Sequence, residues 1–177
     1  MLLKYKNLII RNATVNDGVL LAKWWNDGKI MEHAGFPNGT GEKAKDIVEK
    51  IKTDRDDVKR RLILEINKTA VGEMVYYNVG NKVVEIGIKI CTLSKQNQGF
   101  GRKFLSMLIS YLFYDMGYKK VILDTNINNN RAKHVYETLG FKKVGVREDS
   151  WRNQLGELQT SVDYELIPED FVDFTNV

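Results

Sequence analysis

The segment Lys95–Leu105, KQNQGFGRKFL, holds Gly99 and Gly101 one residue apart, then Arg102 and Lys103, with no acid in between. Apolar residues from Phe100 to Met116 recur at helical spacing, so the glycines open a helix. The first amides of a helix have no internal acceptors, and its dipole places partial positive charge there. Glycine lets a ligand approach the backbone closely, and the two cations add to the field. Such a segment is suited to a phosphate; it is equally the makeup of a glycine-rich turn that only starts a helix. The P-loop pattern G-x-x-x-x-G-K-[ST] does not fit, since Phe104 follows Lys103. The dinucleotide pattern G-x-G-x-x-G also fails at Phe104. Asp124 imitates its ribose-binding acid, but CTLSKQNQ separates the glycines from their strand.

These residues need a scaffold. LIIR (Leu8–Arg11) reads as a first strand, and TVNDGVLLAKWWND as a helix capped by Thr14 or Asn16. GFPNGTG is a loop, and EKAKDIVEKIKTD a short amphipathic helix. RRLILEI, AVGEMVYYNV and VVEIGIKI are β-rich segments separated by turn residues, an antiparallel meander. After the helix from Gly99 to Met116, VILDT is a nearly all-apolar strand, as expected where both faces are covered. Asn129–Leu139 is helical, Gly140 ends it, and FKKVGVRE and SVDYELI close the fold as strands. A meander joined to alternating strands and helices implies a mixed sheet with helices on its faces.

Composition narrows the classes. A chain of 177 residues, 43% hydrophobic and 28% charged, suits one globular domain. Cys91 is the single cysteine, so no internal disulfide forms, and with only His33 and His134 a metal site is not expected. Net charge is +4 and the charges are mixed in sign, which disfavours a nucleic-acid binder. Lys4 and Lys6 interrupt the first apolar residues, and no run of 18 apolar residues exists. The expectation is a cytoplasmic protein with no membrane or nucleic-acid partner.

The hexapeptide Gln96-Asn97-Gln98-Gly99-Phe100-Gly101 matches Q/R-x-x-G-x-G/A, and one strand later NNRAKHVYETLGFKKVG (Asn129–Gly145) follows. Together, in this order, they resemble the two signatures of the GNAT superfamily of acyl-CoA N-acyltransferases. The ending REDSWRNQLGELQTSVDYELI is similar to the subgroup with ribosomal-protein alanine and spermidine acetyltransferases. The resemblance covers Leu8–Ile167 of a single domain, residues 1–177. It implies an α/β fold, a central, mostly antiparallel sheet of about seven strands flanked by about four helices.

The same resemblance implies acetyl-CoA as cofactor and direct transfer of the acetyl group to an amine. Gln98, Gly99, Phe100, Gly101, Arg102 and Lys103 would hold its phosphates, with Gln96 shaping the loop. Ile88, Ile90 and Cys91 would offer backbone groups to the pantetheine arm, and Asn129 would serve the pantetheine or substrate side. The Cys91 side chain reads as a small core residue. Acetyl transfer needs a base for the amine and an acid for the leaving thiolate. Tyr136 matches the family tyrosine and is the expected acid; Glu85 is the expected base, with Glu73 second. Trp24, Trp25, His33 and Phe36 would line the amine pocket, Asp27 and Glu32 would attract a cationic acceptor, and His134 would lie on the surface. The acceptor is a protein N-terminus or a small amine such as a polyamine or aminoglycoside, and a homodimer is compatible with both. A non-catalytic CoA-binding sensor or interaction module on the same fold is the alternative.

Overall fold

A computed structural model describes residues 1–175. One sheet of eight strands runs through it in the order β1-β2-β3-β4-β5-β6-β8-β7. The strands are β1 (Leu2–Tyr5), β2 (Leu8–Asn12), β3 (Lys59–Ile66), β4 (Thr69–Gly80), β5 (Val83–Ile90), β6 (Lys120–Asn126), β7 (Lys142–Arg152) and β8 (Leu158–Leu166). Neighbours pair antiparallel except β5 and β6. The α-helices are α1 (Gly18–Trp25), α2 (Gly28–Met31), α3 (Ala44–Lys52), α4 (Phe100–Ser110) and α5 (Asn130–Thr138). Among the described residues no helix is long and apolar enough to cross a membrane.

The mixed α/β architecture is the expected one, with two additions. Strand β1 hides behind the charges of Lys4 and Lys6, yet Leu3 pairs with Ile10 at the sheet edge, where alternate residues face water. Helix α2 is a single turn that Asp27 caps by accepting from the Lys29 amide at 2.9 Å. Strand β6 also differs from its reading. Its burial alternates, with Val121 and Leu123 buried in the layer under α4 and Asp124 exposed, because the other face borders a cleft.

Two apolar layers follow. Phe104, Leu105, Leu108 and Ile109 of α4 pack with Tyr76, Val84, Ile86, Val121, Leu123 and Tyr164 on one face of the sheet. On the other face Leu21 and Trp24 of α1 meet Ile47 and Ile51 of α3, Ile63 and Cys91. Helix α4 is continued by a π-helical turn over Tyr111–Asp115.

The entry into α1 is fixed by charge. Arg11 of β2 grips Asp17 with two hydrogen bonds of 2.8 Å and donates Nε to Glu65 at 2.7 Å. Asp17 also accepts from the Thr14 amide at 2.7 Å. Burial opposes ionisation of Asp17, but the bonds from Arg11 and the Thr14 amide together bring its carboxyl below the ordinary value. That contribution is present above the unfolded carboxyl range and is lost as pH falls through the lower folded value. Asp17→Asn should therefore cost about 1–3 kcal/mol near neutrality. Urea melts at stepped pH check this, and the variant should lose part of the wild-type decline in acid.

Candidate active site

Strands β5 and β6 pair over only three positions, Val83 with Lys120, Val84 with Val121 and Glu85 with Ile122. Beyond them β5 stays with β4 as far as Ile90, and β6 stays with β8 as far as Asn126. The sheet splits, and each inner edge loses one strand partner. Main-chain N–H and C=O groups do not stay unpaired in apolar surroundings, so such an edge calls for a polar occupant. Gly87–Ile90 on one side and Asp124–Asn126 on the other wall a cleft of about 1460 Å³.

The first turn of α4 closes one end of the cleft. Gly99 is the residue before the helix and sits at φ +77°, a left-handed conformation that suits glycine. Gly99, Phe100, Gly101 and Arg102 line the cleft, and Ile88 and Ile90 face it from β5. Gln96 bridges the gap: its Nε2 donates to the Ile90 carbonyl at 2.8 Å and its Oε1 accepts from Arg131 at 2.6 Å. Asn129 caps α5, accepting from the Ala132 amide at 3.2 Å, and also lines the cleft.

Tyr136 enters from α5. It is buried, its ring 5.8 Å from those of Phe141 and Tyr164, and it borders the cleft. Burial raises its phenol pKa, and the charge of Asp124 adds to the shift, so the hydroxyl keeps its proton at physiological pH.

The opposite face of the sheet is charged. Strand alternation sends Val84, Ile86, Leu123 and Val162 into the layer under α4 and leaves Glu85, Asp124 and Asp163 on the other side. Arg147 of β7 bridges Asp124 and Asp163, with Nη2 2.8 Å from each. Burial raises the Glu85 carboxyl, Asp124 and Asp163 push it the same way, and Arg147 partly opposes them.

Above this face, Glu32, His33 and Ala34 line the cleft opposite Trp151 and Ser161. The tip of the β7–β8 hairpin is fastened to the segment after α2. The Gln154 amide donates to the Gly35 carbonyl at 2.8 Å, its Nε2 to Gly39 at 3.0 Å, and its Oε1 accepts from the Asn38 amide at 2.9 Å. The Trp151 ring rests on Gly35, where a Cβ would lie 2.5 Å from it.

Other expected residues lie elsewhere. Cys91 is buried, its amide donates to Val71 at 2.8 Å, and burial raises its thiol well above the ordinary range. It belongs to the layer under α1 and α3, because the strand has already turned away at Ile90. Gln98 and Lys103 are not among the residues that line the cleft, and the Gln98 side chain donates back to Ser94 at 2.5 Å. Trp24 is core, and Phe36 is exposed outside the cleft. Exposed His134 sits at the cleft's rim. Glu73 is tied up, both oxygens accepting from Trp25 Nε1 at 2.9 and 3.0 Å, with Lys89 3.4 Å away. Arg147, Trp151 and Ser161 escape sequence reasoning, since only pairing across β8 brings them to the cleft. Asp124 carried a signal: it is the one charge in VILDT.

Comparisons with known proteins agree with this fold. The spermidine N(1)-acetyltransferase of Vibrio cholerae is 29% identical over 93 residues, a match spanning 51% of this chain and 53% of that protein. The crystal structure of spermidine N-acetyltransferase from Vibrio cholerae in complex with CoA and spermine superposes with a TM-score of 0.81 at 21% identity, covering 93% of this chain and 97% of that one. Ribosomal-protein-S5-alanine acetyltransferase from Vibrio fischeri gives 0.80 at 13% identity, covering 97% and 99%. Residues 7–142 match the family described as the GNAT acetyltransferase domain, and the chain belongs to that family.

Proposed function

We propose that this protein transfers an acetyl group from acetyl-CoA directly to a primary amine, and that the acceptor is a small polycation of the polyamine type. The observation that carries the reading is the split between β5 and β6, with the start of α4 at one end and, at the other, a sheet face where Glu85, Asp124 and Asp163 stand around Arg147. The residues present fit the coenzyme. The inner edge of β5 is free to pair with the amide groups of an extended arm, and the buried Nε of Arg102 has no hydrogen-bond partner among the described residues. The amides from Gly99 to Arg102 would hold the diphosphate, Ile88 and Ile90 would flank the pantetheine, and Asn129 would close its side.

When bound, acetyl-CoA supplies an activated acetyl thioester. The chain's own residues manage charge and protons. Asp124 and Glu85 attract the acceptor as its ammonium ion, and Glu85, whose carboxyl is raised above its ordinary value by burial, takes the proton that frees the nitrogen lone pair. Tyr136 keeps its hydroxyl proton for the sulfur side. A thiol titrates near ~8.5 in model compounds, below the phenol, so full transfer is uphill. Tyr136 thus serves chiefly as a hydrogen-bond donor to developing negative charge. The acceptor preference rests on the acids of this end: Glu32 and Asp124 line the cleft beside His33, Trp151 and Ser161, Glu85 lies close enough to Asp124 to feel its charge, and the relative from Vibrio cholerae is named for spermidine.

Thiol release from acetyl-CoA, measured across polyamines, aminoglycosides and peptide N-termini, should show preference for polyamines. Retained CoA binding without turnover would overturn the catalytic reading. Tyr136→Phe should stay folded and lose about 10²-fold in kcat. The base must be ionised, so kcat should fall as pH drops through a value above the ordinary glutamate range, and Glu85→Gln should remove that limb from the profile. Gly99→Val, which forces a side chain into a left-handed position, should weaken CoA binding in isothermal titration.

A further inference from the structure

The residues after β8 form a strap that no part of the reaction has yet used. It crosses Leu139, whose carbonyl accepts from the Val172 amide at 3.0 Å, and then runs along α4 and its π-helical extension toward the cleft. Phe171 packs edge-on against Phe113 at 5.9 Å. Ser110 donates to Asp173 at 2.9 Å, and the Phe174 amide donates to the Oγ of fully buried Ser106 at 3.0 Å. Ser110, Ser106 and Arg102 are spaced by four, so they form one stripe on the helix. The strap follows that stripe to the first turn, where the Arg102 guanidinium lies 4.1 Å over the Phe174 ring.

That contact fixes where Arg102 points. Its Nη2 lies 3.9 Å from an ideal Cβ built on Gly99. Arg102 lines the cleft, and its Nε is buried without a hydrogen-bond partner among the described residues. A buried guanidinium donor left unmatched is costly, and a free arginine would swing into water. Stacking on an aromatic ring satisfies the flat face of the guanidinium and leaves its edge for an anion.

We infer that Phe174 is a positioning residue for coenzyme binding, holding Arg102 over the Gly99 loop so that its N–H groups meet a phosphate of the coenzyme. This rests on the coenzyme reading above. Phe174 touches no reacting atom; it removes rotamer freedom that Arg102 would otherwise lose on binding.

The test is isothermal titration of the full chain with CoA and with pantetheine, which lacks the phosphates, joined to steady-state kinetics. Phe174→Leu should raise the Kd for CoA about 3- to 10-fold, in the range of a partly desolvated cation–π contact. The ratio of CoA to pantetheine affinity should fall, the kinetic loss should appear in KM for acetyl-CoA rather than in kcat, and Phe174→Trp should restore it. In an Arg102→Gln background the leucine substitution should add nothing, a comparison that holds even if the single variant is less stable. Equal CoA affinity in wild type and Phe174→Leu, or equal losses for CoA and pantetheine, would overturn the role of Phe174 while leaving the coenzyme reading intact. No CoA binding by the wild type would overturn the coenzyme reading itself.

Discussion

The structure depends on hydrogen bonds that are not made. Strands β5 and β6 meet over three residue pairs and then part, each keeping its outer neighbour. A sheet otherwise continuous from β1 to β7 thereby contains two internal edges, and internal edges are unstable unless something polar occupies them. Gln96 occupies part of the gap with its own amide, bound to Ile90 and Arg131. The rest is the cleft. Every proposed role in the site takes its position from the point of separation at Glu85: the extended arm along Ile88 and Ile90, the anion site at Gly99, and the acidic face beyond Asp124.

The two faces of the split sheet do different work because strand geometry alternates. Residues directed toward α4 are apolar and form the main core, which anchors the helix whose first turn is the proposed phosphate site. Residues directed the other way are Glu85, Asp124, Asp163 and Arg147, a charged surface on the proposed acceptor side. One register thus sets both the rigidity of the proposed anion site and the charge on the proposed acceptor face, and a shift by one residue would exchange the two faces.

Much of this was legible in the chain. The glycine pair before an apolar helical stripe and the Asn129–Gly145 segment identify the family's two signatures, and the structure brings them to one cleft. The α/β class, the meander and both long helices follow from periodicity. Strand β1 was not legible, because Lys4 reads as an interruption and only pairing with β2 gives it a place. The acceptor side was the least legible. Arg147, Trp151 and Ser161 are far from the signatures along the chain, and no local pattern states that β8 inserts between β6 and β7. Two neighbouring tryptophans show the same limit: Trp24 goes to the core and Trp25 to Glu73, a choice made by helix rotation rather than residue type.

The fastening of Gln154 and Trp151 to Gly35, Asn38 and Gly39 has an evolutionary consequence. One side of the entrance belongs to two stretches more than a hundred residues apart, joined by one backbone hydrogen bond and two from the Gln154 side chain. Neither can lengthen, shorten or gain bulk without the other adjusting. A lineage drifting toward a different acceptor would therefore have to change both stretches together, and a graft of either one alone into a homologue would carry half of a mismatched lock.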